Sequence, residues 1–443
     1  MRHLVATILS SAIASAAAAD GSVRVATFNC SLNRNNAGDL VNDLSTPNNP
    51  QASTVAEIIQ RVAPDIIVLN EFDYVEGGVA ASLFQTNYLS VSHNGSTPID
   101  YPYFFVAPSN TGVASGFDLD NSGSVGGPND AIGFGFFPGQ FGMAVYSKYP
   151  IDEAGIRTFQ NFLWKDMPGA LLPDIAETRQ PNDWYSAEEL AALRLSSKSH
   201  WDVPVTIAGQ TLHVLVSHPT PPVFDGPEDR NGLRNHDEIR LWADYIDPAA
   251  SLYIYDDQGN FGGLPRNAKF VICGDQNADP FDGDSVAEAI LQFLNHPLIN
   301  SSNPPRSGGG AEAAILQRNA NANHVGDPFF DTADFADTAP GNLRADYVLP
   351  SLTIPHSGGG IFWPTTTDPL FYLTGVFPFP SSDHRLVWAD LPIQSDLDAN
   401  GTIDAADLAI LLGGWGSAGT ADLDGSGSVD AADLAILLGN WAP

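Results

Sequence analysis

The chain has 443 residues, and 52 Asp and Glu against 19 Lys and Arg leave a formal charge of −33. Apolar residues at 43% and aromatics at 10% exclude a disordered chain, and the charge excludes a basic nucleic-acid-binding surface of the ordinary kind. So many carboxylates suit a soluble chain working outside the cell or around divalent cations, which take oxygen ligands.

The first residues are set apart from the rest. Arg2 and His3 precede LVATILSSAIASAAAA, an apolar run ending in small residues before Asp20. That is the form of a secretory signal peptide over residues 1–19, so the mature chain is expected to be secreted, extracellular or periplasmic. The run is short for a bilayer crossing and none of its length follows, so no membrane span is expected.

From residue 20 to 393, runs of strand length alternate with glycine- and proline-rich loops. VRVATFN, DIIVLNEF, MAVYSKYPI, TLHVLVSH, AKFVICGD, RADYVLP and HRLVWADL read as strands. Val55, Ile58, Ile59 and Val62 recur at helical spacing in a segment that Pro64 ends, and HDEIRLWADYI and SVAEAILQFLNHP read as two more helices. Strands and helices mix throughout, so the class is α/β or α+β with helices covering the sheets. Cys30 and Cys273 adjoin strand-like runs and are expected as buried free thiols. The aromatic run FGFFPGQF, from Phe134 to Phe141, reads as core or pocket wall.

Composition changes after Ile393. Residues 394–443 hold eight Asp and no Lys, Arg or Glu, and DLDANGTIDAADLAILLGGWG from Asp396 recurs as DLDGSGSVDAADLAILLGNWA from Asp422. In the first repeat, oxygen-bearing side chains at positions 1, 3, 5, 9 and 12 are Asp396, Asp398, Asn400, Asp404 and Asp407, and Thr402 would add a carbonyl at position 7. In the second they are Asp422, Asp424, Ser426, Asp430 and Asp433, with Ser428 at position 7. Calcium takes six to eight oxygens around a sharp turn, which Gly401 and Gly427 permit. Each loop runs into ADLAILLG, so a small all-α calcium loop–helix module is expected over 394–443. It resembles the dockerin domain, which implies a cohesin-like or cell-surface partner. At positions 10 and 11, however, Ala405–Ala406 and Ala431–Ala432 stand where cellulosomal dockerins often carry Ser or Thr. A related run, Asp118, Asp120, Ser122 and Gly123 followed by Asn129 and Asp130, reads equally as a further calcium loop or as a plain polar loop.

Polar residues gather at the ends of the strand-like runs. Asn29 closes VATFN, Glu71 lies in LNEF, His218 closes TLHVLVSH, and Asp275 and Asn277 follow FVICG. Asp346 lies in RADYVLP, and Asp383 and His384 lie in SSDHRLVWADL. Layered α/β proteins place their chemistry at the C-terminal ends of strands, and these residues are expected there. In this order and spacing they resemble the endonuclease/exonuclease/phosphatase family over roughly residues 23–393.

The resemblance implies a four-layered α/β sandwich, two central mixed β-sheets flanked by helices, that hydrolyses phosphate esters with an activated water. It implies Mg²⁺ or Mn²⁺ held by Glu71 and Asn29, with Asp383 in the metal shell. By the same resemblance Asp275 orients or activates the water and Asn277 binds phosphate oxygens. His384 is a general base or phosphate-stabilising imidazole partnered by Asp346, and His218 is a second histidine near the leaving oxygen. A carboxylate beside an imidazole raises its basicity, which is the physical reason for such a pair.

Cations are scarce, so those near the motifs are candidates for substrate binding: Lys198 and His200 in SSKSHWD, and Arg230, Arg234 and His236 after His218. Two alternatives to a general phosphoesterase stand. One is an extracellular nuclease acting on DNA, which would need cations to screen the charge. The other is a non-catalytic calcium-binding assembly protein, against which the intact set Glu71, Asp275, Asn277 and His384 argues.

Overall fold

Successive side chains of a strand point to opposite faces, so a strand apolar at every position must be covered on both. The computed structural model describes residues 22–443 apart from 176, 177, 179, 208–209, 355–357, 394, 396, 399–402, 424–425, 440 and 442–443. The expected signal peptide and the calcium-loop positions Asp396, Asn400, Thr402 and Asp424 lie outside the described residues. No helix among the described residues is long and apolar enough to cross a membrane.

The strands are β1 (Val23–Leu32), β2 (Ile66–Phe72), β3 (Tyr103–Phe105), β4 (Met143–Ser147), β5 (Arg157–Thr158), β6 (His200–Ile207) and β7 (Gln210–Ser217). They continue as β8 (Lys269–Asp275), β9 (Ala333–Asp334), β10 (Asn342–Leu343), β11 (Asp346–Pro350), β12 (Gly358–Ile361) and β13 (Val387–Leu391). One sheet has the order β12-β13-β1-β2-β4-β3 and the other β11-β8-β7-β6-β5, while β9 and β10 form a small ribbon. Each large sheet has a central parallel pair, β1 with β2 and β7 with β8, flanked by antiparallel strands. Both sheets are therefore mixed.

The alternation assigns the layers. Val23, Val25, Ile66 and Val68 of one sheet share a buried cluster with Val203, Val214, Val216, Val271 and Cys273 of the other. The intervening residues face outward: Ala26, Phe28, Ile67 and Leu69 join a cluster with Val55, Ile58 and Ile59 of the helix Pro50–Val62. On the far side, Leu215, Ile272 and Tyr347 pack with Ile239 and Trp242 of the helix Arg230–Tyr245. Each such side chain contributes roughly 1.5–3 kcal/mol relative to exposure. The result is helix, sheet, sheet, helix.

All seven expected strands are present, and Cys30 and Cys273 are buried and unbridged. Two readings need correction. The segment SVAEAILQFLNHP is not one helix: Glu288 has φ 58°, a left-handed conformation, and separates a 3-10 turn at Val286–Glu288 from a short helix at Leu291–Leu294. Asp346 opens β11 rather than closing a strand, and His384 precedes β13. Both still reach the catalytic edge because β11 runs antiparallel to β8, with Asp346 opposite Asp275, and β13 antiparallel to β1.

In the tail, the helices Ala405–Gly413 and Ala431–Gly439 share a core of Leu411, Leu437, Leu423, Val429 and Ile403. Asp407 accepts the amides of Leu397 at 2.6 Å and Asp404 at 2.8 Å. Asp433 repeats this with Leu423 at 2.5 Å and Asp430 at 2.7 Å. The two repeats thus close their loops by the same bonds. Asp422 accepts the Gly427 amide at 2.7 Å, and Asp398, Ser426 and Ser428 line the same loops.

At the end of β8, Gly274 has φ 146°, and a Cβ there would stand 1.9 Å from the Ser217 carbonyl oxygen. Gly274→Ala should therefore destabilise the chain by about 1–3 kcal/mol or more, read as a lower denaturation midpoint. A midpoint equal to wild type would show that β7 and β8 tolerate a wider spacing here.

Candidate active site

The polar cluster continues the apolar rows between the sheets. Val25, Thr27 and Asn29 share one face of β1, as do Val271, Cys273 and Asp275 on β8 and Val214, Val216 and then His218 after β7. Val348 and Asp346 share a face of β11 in the same way. At one edge of the sandwich the inter-sheet rows thus pass from aliphatic to polar, and residues from both sheets meet.

They meet on Asp275. Its Oδ2 accepts a hydrogen bond from Asn29 Nδ2 at 3.0 Å, and lies 3.4 Å from His218 Nε2 and 3.6 Å from His384 Nε2. Its Oδ1 accepts the amide of Asn277 at 2.9 Å, and its own amide donates to Asn70 Oδ1 at 3.1 Å. Asn277 has φ 51° and its side chain donates to the Pro219 carbonyl at 3.1 Å, which joins the loops after β7 and β8. Behind His384, Nδ1 lies 2.8 Å from Asp346 Oδ2, which also accepts from the Thr332 hydroxyl at 2.8 Å.

Glu71 breaks the alternation of β2. Its φ of 56° turns the carboxylate out of phase with Ile67 and Leu69 and toward Asn29, Asp383 and His384. Asp383 itself lies within reach of the Ser31 and Ser382 hydroxyls, at 3.5 and 3.4 Å. The donor set of Asn29 amide and two carboxylates is all oxygen, which fits a hard divalent cation. Glu71 supports this, because burial and then the like charge of Asp383 raise its carboxyl, opposed by His384, Asn29 and Lys198. Asp275, Asp346 and His384 also bring ligand atoms within 4.8 Å, but His384 Nδ1 is committed to Asp346.

Burial drives the protonation of the site. It pushes the Asp275 carboxyl up to about 7, against the pull of His384 and with the help of Asp346. For His384 burial opposes the charge, but Asp346 and Asp275 outweigh it and hold the imidazole well above its ordinary range. For His218, burial and the positive charges of Lys198 and His384 act together, so the ring stays neutral. Lys198 is lowered by burial and supported by Glu238, Asp275 and Glu71.

Of the substrate-binding candidates, Lys198 joins this cluster; the others do not. His200 is corrected to a packing residue, fully buried, with its nitrogens 2.6 Å from Ser196 Oγ and 2.9 Å from the Glu238 carbonyl and its ring against Trp242. Arg234 donates to the carbonyls of Leu195, Ile132 and Arg194 at 2.7–2.8 Å, so its fork is committed to loop backbone. Arg230 pairs with Glu228 over the Trp184 ring, and His236 lies 3.0 Å from Asp237. The FGFFPGQF run is not core either: Phe134 and Phe136 are 50% and 66% exposed. Their loop is pinned to the ends of β1 and β2, Gln140 donating to the Arg34 carbonyl and the Phe141 amide to Asp73.

Several positioning residues escape a sequence reading. Asn70 is in phase with Ile66 and Val68, a signal visible beside Glu71. Ser382 bonds the Asn29 carbonyl at 2.8 Å and the His384 amide at 3.0 Å, and Glu238 holds the amides of Ser197 and Thr220 at 2.6 Å. Thr332, which also accepts the amides of Ala345 and Asp346 at 2.9 Å, carries no local signal at all.

The family model for endonuclease/exonuclease/phosphatase matches residues 26–384. The chain belongs to the endonuclease/exonuclease/phosphatase family and is a metal-dependent phosphoric ester hydrolase. Among solved structures it is similar to an endonuclease/exonuclease/phosphatase from Beutenbergia cavernae, with TM-score 0.42, 16% identity, and 84% of this chain and 71% of that one covered. It is similar also to sphingomyelinase C from Streptomyces griseocarneus, with TM-score 0.41, 16% identity and coverages of 83% and 99%. A beta toxin from Staphylococcus aureus with bound magnesium ions gives TM-score 0.40, 14% identity and coverages of 83% and 99%. No curated protein matches the sequence.

Thr332→Val should lower kcat about 10–100-fold with little change in KM, the usual cost of losing an outer partner of a working histidine. Thr332→Ser should retain most of the activity. Equal losses in both variants would assign Thr332 to packing instead.

Proposed function

We propose that the chain is a secreted phosphoesterase in which Asp275 takes a proton from the attacking water. The observation that carries this is the convergence of Asn29, His218 and His384 on one oxygen of a buried carboxylate whose pKa lies near neutrality. His384, charged and oriented by Asp346, stabilises the negative charge that grows on the phosphate oxygens, and Lys198 adds a second positive group. Asn277 hydrogen-bonds those oxygens, and neutral His218 stands by the leaving oxygen. A divalent metal held by Glu71, Asn29 and Asp383 would polarise the phosphate.

For substrate, a phosphodiester with an apolar part is favoured over DNA. The charge of −33 repels a polyanion, and the loop of the exposed Phe134 and Phe136 is pinned just past the ends of β1 and β2, the strands that carry Asn29 and Glu71. We assign the tail as a dispensable calcium module that engages a cell-surface or cohesin-like partner. Its two loops, closed by Asp407 and Asp433, support that reading, and the Asp118, Asp120 and Asp130 oxygens within 4.8 Å of one another support calcium there too.

Asp275→Asn and His384→Ala should each lose about 10²–10⁴-fold in turnover of bis-p-nitrophenyl phosphate while remaining folded. Wild-type kcat/KM should rise with pH to a midpoint near 7, because Asp275 must be ionised to accept the proton. Glu71→Gln should instead raise the Mg²⁺ or Mn²⁺ concentration needed for half activity. Full turnover by either Asp275→Asn or His384→Ala would sink the assignment. Phosphatidylcholine vesicles and plasmid DNA, compared as substrates, separate the lipid reading from the nuclease.

A chain ending near Ile393 should keep its activity on small esters. The isolated tail should gain helical circular dichroism with Ca²⁺ and lose it with chelator, since helices this short need packing and metal to persist. Identical spectra in both conditions would leave an acidic repeat with no calcium role.

A further inference from the structure

The two strands at the centre of the site part before they reach it. Backbone pairing of β7 with β8 ends at Val216 and Cys273, short of both His218 and Asp275. Beyond that point side chains must hold the two loops at the spacing that leaves His218 Nε2 3.4 Å from Asp275 Oδ2. Two contacts tie the loops to each other: the Gln276 side chain meets Ser217 Oγ at 3.1 Å, and Asn277 Nδ2 donates to the Pro219 carbonyl at 3.1 Å.

A third element fixes both loops from outside. Asn235, fully buried on the helix Arg230–Tyr245, donates from Nδ2 to the Thr220 carbonyl at 2.8 Å and to the Gln276 carbonyl at 2.9 Å. An amide nitrogen carries two hydrogens, so both are engaged by loop backbone. One acceptor follows His218, and the other lies between Asp275 and Asn277. Turning the amide over would set Oδ1 against two carbonyl oxygens, so these bonds fix which way the group points. Glu238, one turn on, accepts the amides of Thr220 and of Ser197, the neighbour of Lys198, each at 2.6 Å. Thr220 is thus held through its N–H and its C=O by one helix face.

We propose that Asn235 is a positioning residue for the hydrolysis, an inference that rests on the phosphoesterase reading above. By anchoring the Thr220 and Gln276 carbonyls to one rigid helix, it sets the spacing of His218 and Asn277 about Asp275. Its bonds go to backbone rather than to the reacting groups, so it acts through them. Without its two donors a pair of buried carbonyls loses its partner, and the loops relax to find water. A misplacement of about 1 Å in a reacting group can lower a rate about 100-fold.

The test compares Asn235→Ala and Asn235→Asp with Ile239→Val in the full chain. Alanine removes the donors and the amide; aspartate keeps the shape and removes the donors alone. Ile239→Val trims the packing of the same helix on the sheet and breaks no hydrogen bond to a loop. Turnover of bis-p-nitrophenyl phosphate is measured below all the melting midpoints, together with the Mg²⁺ or Mn²⁺ concentration for half activity. Each Asn235 variant should lose about 10–100-fold in kcat with that concentration unchanged, while Ile239→Val keeps the wild-type kcat. Amide exchange of the segments 217–221 and 274–278 should be faster in both Asn235 variants and unchanged in Ile239→Val. Wild-type kcat in a folded Asn235 variant overturns the proposal, and an equal loss in Ile239→Val assigns the effect to stability instead. Unchanged exchange in both segments overturns the anchoring whatever the turnover. A wild type inert on phosphate esters would defeat the phosphoesterase reading and leave the anchoring to be decided by exchange.

Discussion

A carboxylate held between two sheets, out of water, is the constraint on which the site depends. Asp275 occupies the next position after Val271 and Cys273 in a row that faces the opposite sheet. Burial there would keep it neutral at ordinary pH, and the surrounding donors from Asn29 and Asn277 together with the charge of His384 bring it back to the edge of ionisation. A slip of one residue in β8 would turn this row to the outer face and bury a different set, so the register of the strands is also the register of the chemistry.

The scarcity of positive charge sharpens the effect of each cation. Arg24 is committed to Asp390, Arg157 to Asp256, and Arg385 to Asp334 while stacking on Trp363 and Phe379. These are framework pairs, worth most for fixing the segments they join. Arg385 follows His384 directly, and its bonds to the Ser382 and His384 carbonyls set the path of the chain through the site. Lys198 is different: it is buried close to Asp275 and Glu71, and among the described residues its ammonium makes one hydrogen bond, at 3.5 Å to the Pro219 carbonyl. In so acidic a molecule, a divalent metal at the active site would supply the positive charge that side chains do not.

Two left-handed positions fall inside the site, where the chain leaves its regular course. Glu71 at φ 56° and Asn277 at φ 51° are left-handed residues other than glycine, both within the polar cluster. Each sits one or two residues past a regular strand position and carries a side chain the pleat alone would aim elsewhere. The neighbouring Gly274 allows β7 and β8 to approach closely enough for His218 and Asp275 to meet.

What the sequence by itself showed was seven of the thirteen described strands, the mixed α/β class, and the polar residues Asn29, Glu71, His218, Asp275, Asn277, Asp346 and Asp383–His384 at or near strand ends. These are local signals: β-branched runs, and polar residues at their ends. The tertiary structure decided the rest. Nothing local shows that His200 and Arg234 satisfy backbone and packing partners, because Glu238 and Trp242 for His200, and Leu195, Arg194 and Ile132 for Arg234, lie far along the chain. Nor does it show that Phe134 and Phe136 face outward, since exposure depends on what else covers a loop. Thr332 stands in an unremarked loop, and its role comes from Asp346. Periodicity fixes which face of a strand a residue occupies; which partner waits across that face is settled only when the two sheets pack.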